Sequence, residues 1–208
     1  MQLVIDTATA ACSVALIEGD RVLACEKEIV GRGHAEKLLP MVAALPDQGR
    51  ADSILVDCGP GSFTGIRVGI AAALALGLGW DIPVSGYGSL DIVAASAFRR
   101  HSDVSQLTVA FIGGHGELFI QSFSCDRPSL HLTTTAELQS LRPEAAAALV
   151  QDSLVVGSAA ANLIKVRGWG ESEEAWPFAD EARFLEKTAT TLPATPIYGR
   201  LPDAKIPS

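Results

Sequence analysis

The sequence predicts an α/β protein of two related lobes, each a mixed sheet with helices. Three observations predict it. The chain opens with an antiparallel strand meander rather than a strand–helix unit. Helices and strands alternate afterwards, up to about residue 99. A second strand-rich start follows near residue 107. The break falls near residues 100–106, which divides the chain into lobes 1–103 and 104–208.

Residues 2–5 read as a strand, Asp6-Thr7-Ala8-Thr9-Ala10-Ala11 as a polar turn, and residues 12–18 as a returning strand. Gly19-Asp20 is a hairpin signal, and residues 21–29 form a third strand. Gly31-Arg32-Gly33 breaks this pattern. From His34 the spacing becomes helical, with Leu38, Met41, Val42 and Leu45 on one face. Pro40 lies inside that run and predicts a kink or a later start. Residues 53–58 read as a strand, 59–65 as a glycine-rich turn, 65–79 as a helix, 82–85 as a strand and 90–99 as a helix. In the second half, residues 107–112 and 117–123 pair as strands around Gly113-Gly114-His115-Gly116. Residues 143–150 read as a helix, 153–156 as a strand and 159–166 as a helix. From Thr188 the Thr- and Pro-rich tail reads as extended or mobile, and no solenoid repeat appears.

Of the 208 residues, 48% are hydrophobic and 19% charged. That is a globular composition with apolar residues to spare, and some of the excess is assigned to an interface. A net charge of −8 without a basic stripe excludes a protein that holds nucleic acid by itself, because such binding rests on Lys and Arg neutralising phosphates. Any RNA is expected to be held by another subunit. Cys12, Cys25, Cys58 and Cys125 are far apart and form no C-x-x-C pair. They predict buried thiols in a reducing cytoplasm rather than a disulfide framework or zinc site. The start of the chain lacks a basic, signal-like region. The longest apolar stretch, residues 66–80, carries Arg67 and several glycines and reads as too short and broken to span a bilayer. A cytoplasmic protein without membrane contact is the expectation.

Two turns could carry chemistry. Asp6, Thr7 and Thr9, with Ser13 beyond, place a carboxylate and hydroxyls between two strands, where they could meet phosphate and magnesium. A hairpin turn rich in turn-formers explains the same residues. Gly59-Pro60-Gly61-Ser62-Phe63-Thr64-Gly65 follows a strand and opens a helix, so Gly59, Gly61 and Ser62 are anion-binding candidates. They serve equally as a turn for close helix–sheet packing. The run is not a Walker A loop. As a dinucleotide fingerprint, with Asp81 as the ribose acid, it lacks the third glycine. ATP or ADP with magnesium is the candidate ligand, and no cofactor is required.

The helix after this turn carries Arg67 as its sole charge from residue 66 to 79. A helix apolar all round should be buried all round. Its outer face, with Ile66, Ile70, Ala73 and Leu74, is therefore read as a helix–helix interface with a second polypeptide, and Gly69, Ala71, Ala73 and Gly77 as the small residues that admit it. Leu38, Met41, Val42 and Leu45 of the preceding helix extend that surface. His34, His101, His115 and His131 form no metal-binding pair, and no nucleophile elbow is present, so no catalytic residue is named.

These residues together resemble the TsaB (YeaZ) family. The run from Ile5 to Leu16, His34-Ala35-Glu36-Lys37-Leu38-Leu39-Pro40-Met41 (with Ala35 where Ser is usual), Gly59 to Gly69, and Val84-Ser85-Gly86-Tyr87-Gly88-Ser89-Leu90 carry the likeness. It is dense over residues 2–95 and thins afterwards, with Pro196-Ile197-Tyr198 and Arg200 as an echo of a C-terminal motif. The resemblance implies a two-lobed actin-like ATPase fold built on ribonuclease H-like lobes, in the group once labelled M22 glycoproteases. It implies a non-catalytic scaffold for tRNA threonylcarbamoyladenosine synthesis, a TsaD-like catalytic partner and a TsaE-like ATPase. It also implies a homodimer when alone and tRNA contact only through the complex. In Phe111-Ile112-Gly113-Gly114-His115-Gly116-Glu117 an acidic and a basic member usual to the family are missing. The alternative is a small-molecule kinase of the same fold, for which no catalytic Asp stands out.

Overall fold

The computed structural model describes residues 1–127 and 129–199. Strands β1 (Gln2–Asp6), β2 (Ala11–Glu18) and β3 (Arg21–Ile29) form the opening meander. Helix α1 (His34–Ala44) leads to β4 (Ser53–Asp57), α2 (Phe63–Trp80) to β5 (Val84–Tyr87), and α3 (Ser89–Arg100) ends the first half. β4 pairs parallel with β1, and β5 with β4, giving the order β3-β2-β1-β4-β5. The second half repeats the path. β6 (Gln106–Ile112), β7 (Leu118–Asp126) and β8 (His131–Leu141) form a meander. It is followed by α4 (Pro143–Leu149), β9 (Leu154–Val156), α5 (Ala160–Arg167) and β10 (Glu171–Glu173), in the order β10-β9-β6-β7-β8. Twice over, this is the ribonuclease H-like arrangement, and its duplication is the actin-like ATPase fold.

Alternation along the strands sets the layers. Leu3 and Ile5 face α1 and α2 and pack with Leu38, Val42, Ile66 and Ile70. Val4, Ala15 and Leu55 face the other way, onto α3. α3 lies between the two sheets: Leu90, Ile92, Val93 and Phe98 are buried there with Leu107, Val109 and Phe123 of the second half. Each such side chain contributes about 1.5–3 kcal/mol by leaving water. A handful of them matches the net stability of a whole domain, so the two halves share one core. α4 and α5 cover the far face of the second sheet, where Ala146 and Leu163 join Ala110, Ile120 and Val155.

The structure departs from the sequence reading at several elements. β8 and β10 were not legible: in β8 a run of threonines breaks up the alternation of Leu132, Ala136 and Leu138, and β10 is a short Glu-Ser-Glu strand with no apolar residue. α1 begins at His34 and runs through Pro40. α2 is longer than its pattern suggests. The Ser62 hydroxyl accepts from the Gly65 N–H at 3.2 Å at one end, and Asp81 takes a left-handed conformation (φ 56°) as C-cap at the other. At 18 residues it is by length and composition able to cross a membrane, contrary to expectation. Asp81 also lies a helix length from Gly59, which removes it as a ribose acid for that turn. The tail is held: Leu192 forms an antiparallel bridge with Gly86, and the Ile197 N–H donates to Cys58 O at 2.7 Å.

Candidate functional site

β1 and β4 run side by side, with Ile5 opposite Val56, so Asp6 and Asp57 end neighbouring strands. Both are buried. Tyr87 Oη donates to Asp6 Oδ2 at 2.7 Å, and the Ala8 N–H to Asp6 Oδ1 at 3.3 Å. Asp57 Oδ1 accepts from the Gly59 N–H and the Ser89 hydroxyl, each at 2.6 Å. Asp57 Oδ2 is buried with no donor from elsewhere. Burial, then the charge of Asp57, lifts Asp6 well above the usual carboxylate range. Burial also raises Asp57, opposed by its hydrogen bonds to Asp6, Ser89 and Gly59. Both carboxyls are thus pushed toward holding a proton, Asp6 the more strongly, and a proton on Asp6 is the donor that Asp57 Oδ2 could accept.

The first turn is thus structural for most of its members. The Thr7 hydroxyl donates to Gly65 O at 2.7 Å, tying the turn to the start of α2. The Ser13 hydroxyl accepts from the Ala179 N–H at 2.9 Å. His34 is buried. Its Nε2–H donates to Thr9 O at 2.8 Å and Ala11 O at 3.2 Å, which fixes its tautomer. Gly59 holds a left-handed conformation (φ 98°), and its carbonyl accepts from the Ser89 N–H at 3.0 Å. The seven phosphate candidates therefore do not form one site. Asp6, Thr7, Ser13 and Gly59 are turned into the protein, whereas Thr9, Gly61 and Ser62 line a cleft.

That cleft encloses about 810 Å³ between the two halves of the chain. The first half contributes the turn at Thr9, the turn at Gly61 and Ser62, and Phe63 and Arg67 of α2. The second contributes Ile112, Gly113, Gly114, His115 and Phe119, with Trp176 beyond and Tyr198 of the tail. Arg67 is held inside a small aromatic cluster. Its guanidinium lies 3.6 Å from the centroid of the Phe63 ring and donates to Tyr198 Oη from Nη2 at 2.8 Å and Nε at 3.2 Å. The Phe63 and Tyr198 rings stack at 5.9 Å. Arg67 and Tyr198 were missed as site residues; Arg200 of the same motif lies outside the described residues. Among the described residues, no group of three His, Cys, Asp or Glu side chains converges on a point.

The interface expected on α1 and α2 is largely inverted. Leu38, Val42, Leu45, Ile66, Ile70 and Ala73 are buried in the chain's own core, and Met41 is half-buried. Leu74 alone of that set is exposed, at 48%. The physical reason is the small residues. A β-carbon on Gly69 would collide with the Thr7 hydroxyl, and one on Gly77 with the Val84 side chain, so Gly69, Ala73 and Gly77 face the sheet, and of the small residues read as admitting a partner only Ala71 points outward. The outward face instead carries Arg67, Ala71, Leu74 and Leu78, spaced i, i+4, i+7, i+11, and Leu78 is 87% exposed. Leu39 of α1 is exposed as well.

A family model described as TsaD, tRNA N6-adenosine threonylcarbamoyltransferase, matches residues 27–138. The chain is 36% identical over 129 residues to the tRNA threonylcarbamoyladenosine biosynthesis protein TsaB of Escherichia coli K12, covering 60% of this chain and 55% of that protein. It is 39% identical over 105 residues to the TsaB of Haemophilus influenzae, covering 48% and 44%. The chain spans about half the length of the curated relatives it matches. Its fold superposes on YeaZ from Pseudomonas aeruginosa with a TM-score of 0.78 at 27% identity, covering 95% of this chain and 99% of that one.

Proposed function

This chain belongs to the tRNA N6-adenosine threonylcarbamoyltransferase (TsaD) family, in its TsaB (YeaZ) branch, and from that premise we propose that it is a non-catalytic supporting subunit in tRNA threonylcarbamoyladenosine synthesis. The observation that carries the reading is the outward face of α2. Leu74 and Leu78 stand exposed one turn apart on a helix whose other side is already packed, with Phe63 exposed at its start. An apolar stripe of that kind is a binding surface for another helix. A TsaD-type catalytic chain is the partner. Binding there stabilises the partner's competent arrangement, and the work done is a shift of population rather than a chemical step. Without that partner the same face pairs two copies of this chain. A TsaE-type ATPase joins the assembly, tRNA is held by the other subunits, the chain needs no cofactor of its own for this role, and the setting is the cytoplasm. The acidic surface supports the division of labour, because a net charge of −8 repels phosphates.

The test is reconstitution. The cognate TsaD-type and TsaE-type chains, ATP, the threonylcarbamoyl donor and tRNA are combined with this chain, without it, or with its Leu74→Glu/Leu78→Glu form. Modified adenosine should require the chain and fall at least tenfold with the double variant, which should also fail to co-purify with the TsaD-type chain. Full modification without the chain overturns the reading. Turnover by the chain alone restores the kinase alternative.

A further inference from the structure

We propose that the cleft between the two halves is a binding site for a flat aromatic molecule bearing a single anionic group, with Arg67 as the residue that takes the anion. This goes beyond the supporting role above and does not depend on it.

The chain carries 24 acidic residues. Among the described residues, the lining of the cleft includes no aspartate or glutamate, while Arg67 and His115 both face it. In so acidic a protein, a cleft whose described lining holds a guanidinium and no carboxylate is suited to an anion. Aromatic side chains supply the rest of the wall: Phe63, Phe119, Trp176 and Tyr198. A volume near 810 Å³ is in the range of small-molecule sites, which are mainly apolar with a few placed polar groups.

Arg67 is oriented before any ligand arrives. Phe63 lies against one face of its guanidinium, and Tyr198 Oη accepts from Nε and Nη2. Among the described residues, Nη1 makes no hydrogen bond and no carboxylate pairs with Arg67, so none of them neutralises its charge. A carboxylate or phosphate ester would find a cation whose side chain is already ordered, which lowers the entropy cost of binding. One guanidinium suits one anionic group. A magnesium–triphosphate complex has no support here, because Asp6, the carboxylate best placed by sequence to approach such a metal, is buried and held by Tyr87.

The experiment uses the full chain and three probes: 2-naphthoate, its neutral analogue 2-naphthamide, and ATP with magnesium. Each is titrated by calorimetry and by the fluorescence of Trp176, with Trp176→Phe as the control for the other two tryptophans. Naphthoate should saturate the chain, and Arg67→Gln should weaken it by about tenfold or more, the usual loss for a charge-assisted bond. Naphthamide should bind more weakly and be indifferent to Arg67→Gln. Tyr198→Phe keeps the ring and removes the oxygen that orients Arg67, and should weaken naphthoate by a smaller factor. Circular dichroism confirms that each variant is folded, which the exposure of Arg67 favours. No saturable naphthoate binding up to about 10 mM, a limit equivalent to roughly 3 kcal/mol, overturns the proposal. So does equal affinity in Arg67→Gln, or tighter binding of ATP with magnesium than of naphthoate.

Discussion

Asp91 shows what the buried carboxylates do to stability. Its side chain lies beneath Gly88, near the Asp6–Asp57 pair, and burial, reinforced by the charge of Asp57, pushes it up to about 6. An acid whose folded pKa exceeds its unfolded value contributes fully below the unfolded pKa, about 3.9, and the contribution is lost as pH rises through the folded value. For Asp91 that window runs from about 4 to about 6, and Asp6 extends the same slope upward. Asp91→Asn should therefore raise the melting temperature relative to the parent more at pH 7.5 than at pH 5. A gap that is constant across this range would show that Asp91 is ionised in the folded chain with no penalty. Asp57 behaves differently, because it serves as the acceptor for Ser89 and Gly59. Asp57→Ala should cost about 1–3 kcal/mol for each stranded donor in urea unfolding, whereas Asp57→Asn, which keeps one acceptor oxygen, should cost less.

At the scale of the element, α2 tests whether small residues are there for packing or for a partner. Gly69 sits where a β-carbon would strike the Thr7 hydroxyl and touch Val56 and Ile5, and Gly79 has open space around it. Gly69→Ala should destabilise the chain by about 1–3 kcal/mol through overpacking. Gly79→Ala should stabilise it by up to about 1 kcal/mol through helix propensity. Urea midpoints at constant slope read both, and equal effects would deny the inward orientation. The contrast also shows what was legible in advance. The meander, the alternation and the position of α2 follow from apolar periodicity, and the glycine turn at Gly59 from its composition. Which side of α2 faces inward did not follow, because a helix apolar all round carries no directional signal. Only the close approach of Gly69 and Gly77 to the sheet decides it. Asp57 was read as strand rather than site for the same reason: its partner Asp6 is distant in sequence and adjacent only through the parallel pairing of β1 with β4. β8 hid behind its run of threonines, and Tyr198 behind a tail that reads as extended or mobile yet reaches Arg67.

At the scale of the molecule, two copies of one strand order meet around α3, and this leaves α2 on the outside. Its inner face closes the first core layer with Ile66, Ile70 and Ala73, and its outer face is covered by no element of the described chain at Leu78. The two faces predict opposite outcomes for the same substitution. Ile70→Glu places a carboxylate among Ile5, Val56 and Leu38 with no partner, so it should either unfold the chain or cost several kcal/mol. Leu74→Glu and Leu78→Glu place the charge in water and should leave the melting temperature within about 2–4 °C of the parent, as surface substitutions do in a chain of this size. If two copies pair through this face, each should also move the sedimentation equilibrium toward monomer, because a carboxylate desolvated at a helix–helix contact opposes association. A dimer that survives both changes with its affinity intact would place the contact elsewhere. A large loss of stability from Leu78→Glu would mean that this helix is covered by the chain itself.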